Sequence, residues 1–261
     1  MLFKANALKN FKLDARDGEI GRVMDFYFDD KHWAVRYLVA DTGTWLAGRA
    51  VLISPHSLVA VGLQVKHVTV ALTKKQIEDS PSLASDMPVS RQFEQSYYGY
   101  YGWPTYWGGE HMWGAQPYLV GAGRKWAENA DPGKAWDPHL RSASEVDGYH
   151  IEATDGPIGT VAAFVIDDVT WAIRYLIVDT GKWLPGKKVL VSPHWISKVS
   201  WPDSQVMVKL GREAVQKSPE YRDDSLLTRD YEDKLHRHYK HEGYWVKESH
   251  SGGHPAMKAT K

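Results

Sequence analysis

The chain has 261 residues, with 32 basic and 32 acidic side chains and a formal charge of zero. The balance is also local: 11 basic against 9 acidic residues over 1–85, and 17 against 17 over 141–261. Non-specific nucleic-acid binding draws on counterion release at a basic surface, so these totals disfavour it. Cysteine is absent, which excludes disulfides, thiolate nucleophiles and cysteine zinc sites.

The opening stretch MLFKANALKNFKLDARDGEI lacks the apolar core of a signal peptide. No run of 18 apolar residues follows, so no membrane span is expected. A cytoplasmic protein of bacterial type is the expectation. Asp17-Gly18 is a hairpin signal of the type I′ kind. Ile20, Met24, Phe26 and Phe28 alternate with more polar neighbours, as in a half-buried strand. Trp33–Asp41 is apolar on both parities, as a central strand is, and Thr42-Gly43 closes it. Ala50–Ser54 and Gln64–Leu72 supply further strands, with Val68, Val70 and Leu72 on one face. Thr73–Asp79 has a Thr cap, strong helix formers and a following Ser-Pro, which predicts a short helix.

From Tyr97 the composition changes. Eight of the 17 residues over 97–113 are aromatic, interleaved with Gly and Pro. A flexible solvated linker is poor in aromatics, so this one is expected to pack, either on its own chain or on a partner. Tyr101, Trp103, Tyr106, Trp107 and Trp113 are the candidate partner contacts, because Tyr and Trp are enriched at binding hot spots. No basic residue lies between Gln92 and Gln116, so stacking on single-stranded nucleic acid is disfavoured. Gly121–Pro138 reads as a surface connection.

The chain then repeats itself. VRYLVADTG at 35 returns as IRYLIVDTG at 173, and the offset of 138 holds without a gap: 25 of the 42 positions from 15 to 56 are identical. Val68 and Val70 meet Val206 and Val208. Ser80-Pro81 meets Ser218-Pro219, and Arg91–Glu94 meets Arg229–Glu232. A unit of about 90 residues is too long for a solenoid repeat of roughly 20–50. Two tandem domains are expected: 1–95, then an aromatic and Gly-rich linker over 96–141, then 142–235, then a His-rich flexible tail over 236–261. Several short strands with regular turns predict a mainly β fold, each domain a small barrel followed by short helical segments.

With these motifs in view, the chain resembles the PRC-barrel family, and does so twice. The carrying residues are D-G-x-I-G at 17–21 and 155–159, and W-x-x-R-Y-L at 33–38 and 171–176. D-T-G-x-W-L-x-G at 41–48 and 179–186 and V-L-[IV]-S-P-H at 51–56 and 189–194 complete the set. That family includes the cytoplasmic barrel of the photosynthetic reaction-centre H subunit and the C-terminal domain of a ribosome-maturation factor. The resemblance implies a binding and assembly module without catalysis of its own.

The repeated polar residues carry two readings each. Arg36 with Asp41, and Arg174 with Asp179, form either a catalytic pair or a charge pair and turn cap. Asp before Thr-Gly suits the turn, since its side chain reaches backbone two residues on. Ser54, His56 and Asp41 have the residue types of a hydrolytic triad, but no nucleophile elbow or oxyanion loop accompanies them. Keeping the set twice favours the fold. Trp33, Trp45, Trp171 and Trp183 read as core and rim packing, and His56 and His194 as structural. His236, His238, His241, His250 and His254 cluster near the end; His238 and His241, three apart, are the weak metal candidates. No cofactor is expected. The expected function is a non-catalytic protein-interaction module built as an intramolecular pseudo-dimer, its contacts at the aromatic linker and around Asp41–Gly48 and Asp179–Gly186. An RNA or ribosome-assembly role is the alternative, and a metal-dependent enzyme a more distant one.

Overall fold

The structure, a computed structural model, describes residues 1–46, 49–81, 83–84, 89, 91–108, 140–222 and 227–246. It is mainly β, with few and short helices. The strands are β1 (Leu2–Lys4), β2 (Lys12–Ala15), β3 (Gly18–Asp29), β4 (Ala34–Asp41), β5 (Arg49–Ile53), β6 (Leu58–Gly62) and β7 (His67–Val70). Helix α1 (Lys74–Glu78), β8 (Leu83–Ala84) and helix α2 (Arg91–Tyr101) follow. The second copy begins with β9 (Leu140–Ser142), α3 (Ala143–Val146), β10 (His150–Ala153), β11 (Gly156–Asp167) and β12 (Ile173–Asp179). It continues through β13 (Lys188–Val191), β14 (Ile196–Ser200), β15 (Gln205–Val208), α4 (Arg212–Lys217) and α5 (Arg229–His238).

Two sheets result. One has eight strands in the order β6-β7-β2-β3-β4-β5-β8 with β9 added on β3; the other has seven, in the order β13-β12-β11-β10-β15-β14 with β1 added on β11. Among the described residues neither path returns to its first strand. The chain divides into two compact units. The first comprises Met1, Phe3–Asp147 and Ala163–Tyr175; the second comprises Leu2, Gly148–Ala162 and Leu176–Lys261. No helix of the described residues is long and apolar enough to cross a membrane.

Local sequence explains most of this. β2 and β3 form a hairpin with Ala15 opposite Gly18, so Arg16 and Asp17 make the turn. Neither has positive φ, whereas Gly18 and Gly156 sit at φ 137 and 133. The hairpin is therefore present but not of type I′: the glycine opens the outgoing strand instead of filling the turn. The second glycine of D-G-x-I-G has a steric reason. A Cβ on Gly21 would lie 2.0 Å from the Asp41 carbonyl oxygen, and one on Gly159 2.1 Å from that of Asp179.

The simple alternation expected for β3 does not hold throughout: its pairing with β4 shifts register twice and its pairing with β2 once. The register shifts between Val23 and Asp25, a β-bulge that turns Val23 inward and leaves Met24 54% exposed. A bulge places two residues opposite one, so period two fails across it. Ile20, Phe26 and Phe28 are buried as expected. β4 is buried at every position but its last. Thr73 caps α1 in a full capping box with Gln76. β6 is a strand that the sequence reading passed over.

The boundaries drawn at 95/96 and 235/236 both fall inside helices, α2 and α5. The linker and the tail as drawn thus contain ordered structure, up to residues 108 and 246.

Candidate functional site

Arg36 is fully buried, and its Nη2 donates to Asp29 Oδ2 at 2.9 Å. Arg174 Nη2 donates to Asp167 Oδ2 at the same distance. The pairing of Arg36 with Asp41 and of Arg174 with Asp179 is thereby corrected: the partner carboxylate sits seven residues before the arginine, at the end of the preceding strand. Burial opposes ionisation of Asp29, but Arg36 and His32 hold its pKa below the ordinary carboxylate value. Burial also opposes ionisation of Asp167, and Arg174 with the N–H groups of Val169 and Thr170 overcomes it.

Asp41 and Asp179 cap turns. Their Oδ1 atoms accept from Gly43 N at 2.9 Å and Gly181 N at 2.8 Å, and these glycines take φ 58 and 53. Ser54 and His56 do not share a strand. Ser54 Oγ accepts from His56 N at the start of a 3-10 turn over Pro55–Ser57, and Ser192 does the same for His194. In both copies the hydroxyl serves as a turn cap.

Trp33 and Trp171 lie in the β3–β4 and β11–β12 turns at φ 52 and 57. The Trp33 ring stacks on Phe28 at 5.4 Å, and Trp171 meets Phe3 edge-on at 6.0 Å. Trp45 and Trp183 are half-buried, each under a cation: Lys74 Nζ lies 4.7 Å from the Trp45 ring, and the Arg212 guanidinium 4.7 Å from the Trp183 ring. Asp17 and Asp155 accept from the backbone N–H of those same residues, Lys74 and Arg212. Arg49 donates to the carbonyls of Ile77 and Ser80, and Lys187 to those of Gln216 and Ser218. Hairpin, turn and short helix are thus tied into one corner, twice.

At this corner the second unit has an open groove of about 450 Å³. Ile158, Gly159, Asp179 and Trp183 on its wall are identical to their counterparts 138 positions earlier. His150, Pro157, Thr160, Lys182 and Arg212 are not; they replace Lys12, Glu19, Arg22, Thr44 and Lys74. In the first copy Lys12 and Glu19 join in an ion pair at 2.9 Å. Substitution by His150 and Pro157 removes that pair from the second. The groove carries Lys182 and Arg212 beside an indole, an arrangement suited to a carboxylate-bearing surface.

The aromatic stretch folds back on the first copy. Tyr97, Tyr98 and Tyr106 join Tyr37, Val39, Leu52 and Val89 in one buried cluster, with Tyr101, Trp103 and Trp107 packed against it. At its centre Glu94 is fully buried, accepting from the Tyr37 hydroxyl at 2.7 Å and the Tyr106 hydroxyl at 2.8 Å. The Arg36 guanidinium lies 4.0 Å from the Tyr106 ring. Tyr106 is therefore removed from the partner contacts expected of it. Tyr101, Trp103 and Trp107 spend much of their surface on the same cluster, and Trp113 lies outside the described residues.

The second copy ends in the same way. Glu232, the counterpart of Glu94, is buried on α5 and accepts from the Tyr244 hydroxyl at 3.0 Å. Tyr244-Trp245 is Tyr106-Trp107 displaced by 138. Glu94 and Glu232 already lie in the matched register, and continuing it past them would have found Tyr106 and Tyr244; no such signal existed for Asp25, whose carboxylate takes hydroxyls of Ser142 and Ser144. His238 and His241 serve separate contacts. His238 Nε2–H donates to the Ala214 carbonyl at 2.7 Å, and His241 stacks on Trp195 at 5.5 Å. Among the described residues no three His, Asp or Glu side chains gather as a metal site; His250 and His254 lie outside them. No protein-family model matches the chain, and no curated protein matches it.

Proposed function

We propose that the chain is a non-catalytic protein-interaction and assembly module, two PRC-type barrels joined as an intramolecular pseudo-dimer. The observation that carries it is a reciprocal contact inside the first unit. Val35 N donates to the Trp171 carbonyl at 2.8 Å, and Ile173 N to the Trp33 carbonyl at 2.7 Å. Positions 35 and 173 are themselves 138 apart, so each copy gives what it receives. That is the signature of an isologous contact, the kind that homodimers use. The repeated Arg, Asp and Ser side chains support the same reading, because each is engaged in a charge pair or a cap that shapes the chain.

Partner contact is assigned to the groove beside Trp183, where the copies differ. Quantitative affinity capture of the intact chain from its native host tests this against the variant Lys182→Glu with Trp183→Ala. A stoichiometric protein partner held by the parent and lost by an equally stable variant is expected. An unchanged partner set would remove the groove from the reading. Recovery of ribosomal particles alone, released by salt, would favour the RNA alternative. Small-angle scattering that resolved two freely tumbling bodies would end the pseudo-dimer.

A further inference from the structure

The two copies diverge again where each C-terminal segment covers its sheet. In the first, His56 faces Tyr98 at 6.2 Å and Trp103 at 5.9 Å. The matching residues in the second are His194, His236 and His241. Two aromatic positions have become histidines, and the small Ser57 has become Trp195, which is 2% exposed. Trp195 is the hub: His236 lies 5.2 Å from it, Tyr239 4.7 Å, and His241 stacks on it. His236 is 3% exposed and also meets Trp245 at 5.0 Å.

The protonation state is readable. The Glu242 carbonyl lies 3.0 Å from His236 Nδ1; a carbonyl only accepts, so Nδ1 carries the hydrogen and a second proton would go to Nε2. Burial is the largest force against that second proton, and His241 and His194 oppose it further. The Glu242 carbonyl and Asp233 favour it, and the balance lowers the pKa of His236 from its ordinary value. Of the other charged groups nearby, the Arg229 guanidinium sits 4.2 Å over the Trp245 ring and 5.3 Å from that of Tyr244, and it pairs with the buried Glu232 carboxylate at 3.0 Å.

We propose that His236, packed against Trp195 and Trp245 beside His194 and His241, is an acid-sensitive latch: charging it releases the segment from α5 to Trp245 and uncovers the aromatic wall of Trp195. The docked ring binds fewer protons than the released one. Docking is therefore full above the ordinary histidine value, about 6.5, and drains as the pH falls below it.

The test is hydrogen exchange of the full chain, corrected for the intrinsic pH dependence, at pH 7.5 and 5.0. Exchange over 229–246 should rise at least tenfold at the lower pH. In His236→Tyr with His241→Trp, which installs the first copy's residues, the rise should vanish. No rise in the parent, or an equal rise in the variant, overturns the latch. Should the variant fail to fold, NMR titration of the His236 ring in the parent decides: a midpoint below 6.5 supports the latch, and one at or above it refutes it.

Discussion

Single residues in this protein do unusually specific work where backbone and side chain come close. Gly21 is one. Its φ of 142 and the Asp41 carbonyl 2.0 Å from any Cβ leave no room for a side chain. Gly21→Ala should cost about 2–4 kcal/mol by urea melting, and Gly159→Ala should behave alike; a loss under about 0.5 kcal/mol would contradict the close approach. Glu94 is another. It is the acceptor for two buried tyrosines, so Glu94→Ala strands both hydroxyls and should cost about 3–5 kcal/mol. Tyr106→Phe keeps the ring and removes one donor, and should cost about 1–3 kcal/mol. His56 sets a pH dependence. Burial first and the Arg36 charge second push its pKa down to about 4, so the folded state prefers the neutral ring. Its contribution is complete above about 6.5 and is lost as pH falls toward 4, with a ceiling of about 3 kcal/mol. His56→Phe should flatten that part of the stability profile between pH 7 and 4; an unchanged slope would show that other groups set it.

At the scale of elements, the predictable parts are those governed by local chemistry. The Thr73 cap, the Val68–Val70 face and the buried run of β4 follow from residue type and period. The bulge at Met24 does not, because nothing in the residues 23–25 announces an extra one. It has a measurable consequence: Met24→Lys should change stability by less than about 0.5 kcal/mol, whereas Val23→Lys should prevent folding by burying an unpaired charge. The aromatic stretch was legible as something that packs, yet not as the end of a domain. Identity between the copies thins after Glu94, and the eye reads Tyr-Tyr-Gly-Tyr-Tyr as a linker and His-Arg-His as a tail. The register still holds at Tyr101 with Tyr239 and at Tyr106-Trp107 with Tyr244-Trp245. What hid it was divergence of the packing partners: Ser57 and Trp103 in one copy answer to Trp195 and His241 in the other, so volume moved from the covering segment to the 3-10 turn beneath it. The groove, likewise, lies among residues singled out for the turn at Asp179, but the ion pair that distinguishes the first copy there is one that only the fold brings together.

For the whole molecule the decisive feature is the pair of tryptophans at positive φ. A bulky residue in that region is strained, and both copies keep one at φ 52 and 57. The compensation is visible within the first unit: each carbonyl accepts from the strand that follows the other tryptophan, while Phe28 and Phe3 pack the rings. Backbone strain and ring packing therefore oppose each other at one site, and substitution can separate them. Trp33→Ala keeps the strained φ and loses the ring; Trp33→Gly loses the ring and relaxes φ. Glycine should then be the better tolerated of the two by about 1 kcal/mol, the reverse of its usual penalty in a β-rich frame. The same ordering should hold at Trp171, and the two sites should be non-additive in a double-mutant cycle by more than about 0.5 kcal/mol, because each turn supplies the other's hydrogen bond. Additive losses, measured by chemical denaturation of the intact chain, would mean that the two turns are independent and that the reciprocal contact does not couple the copies.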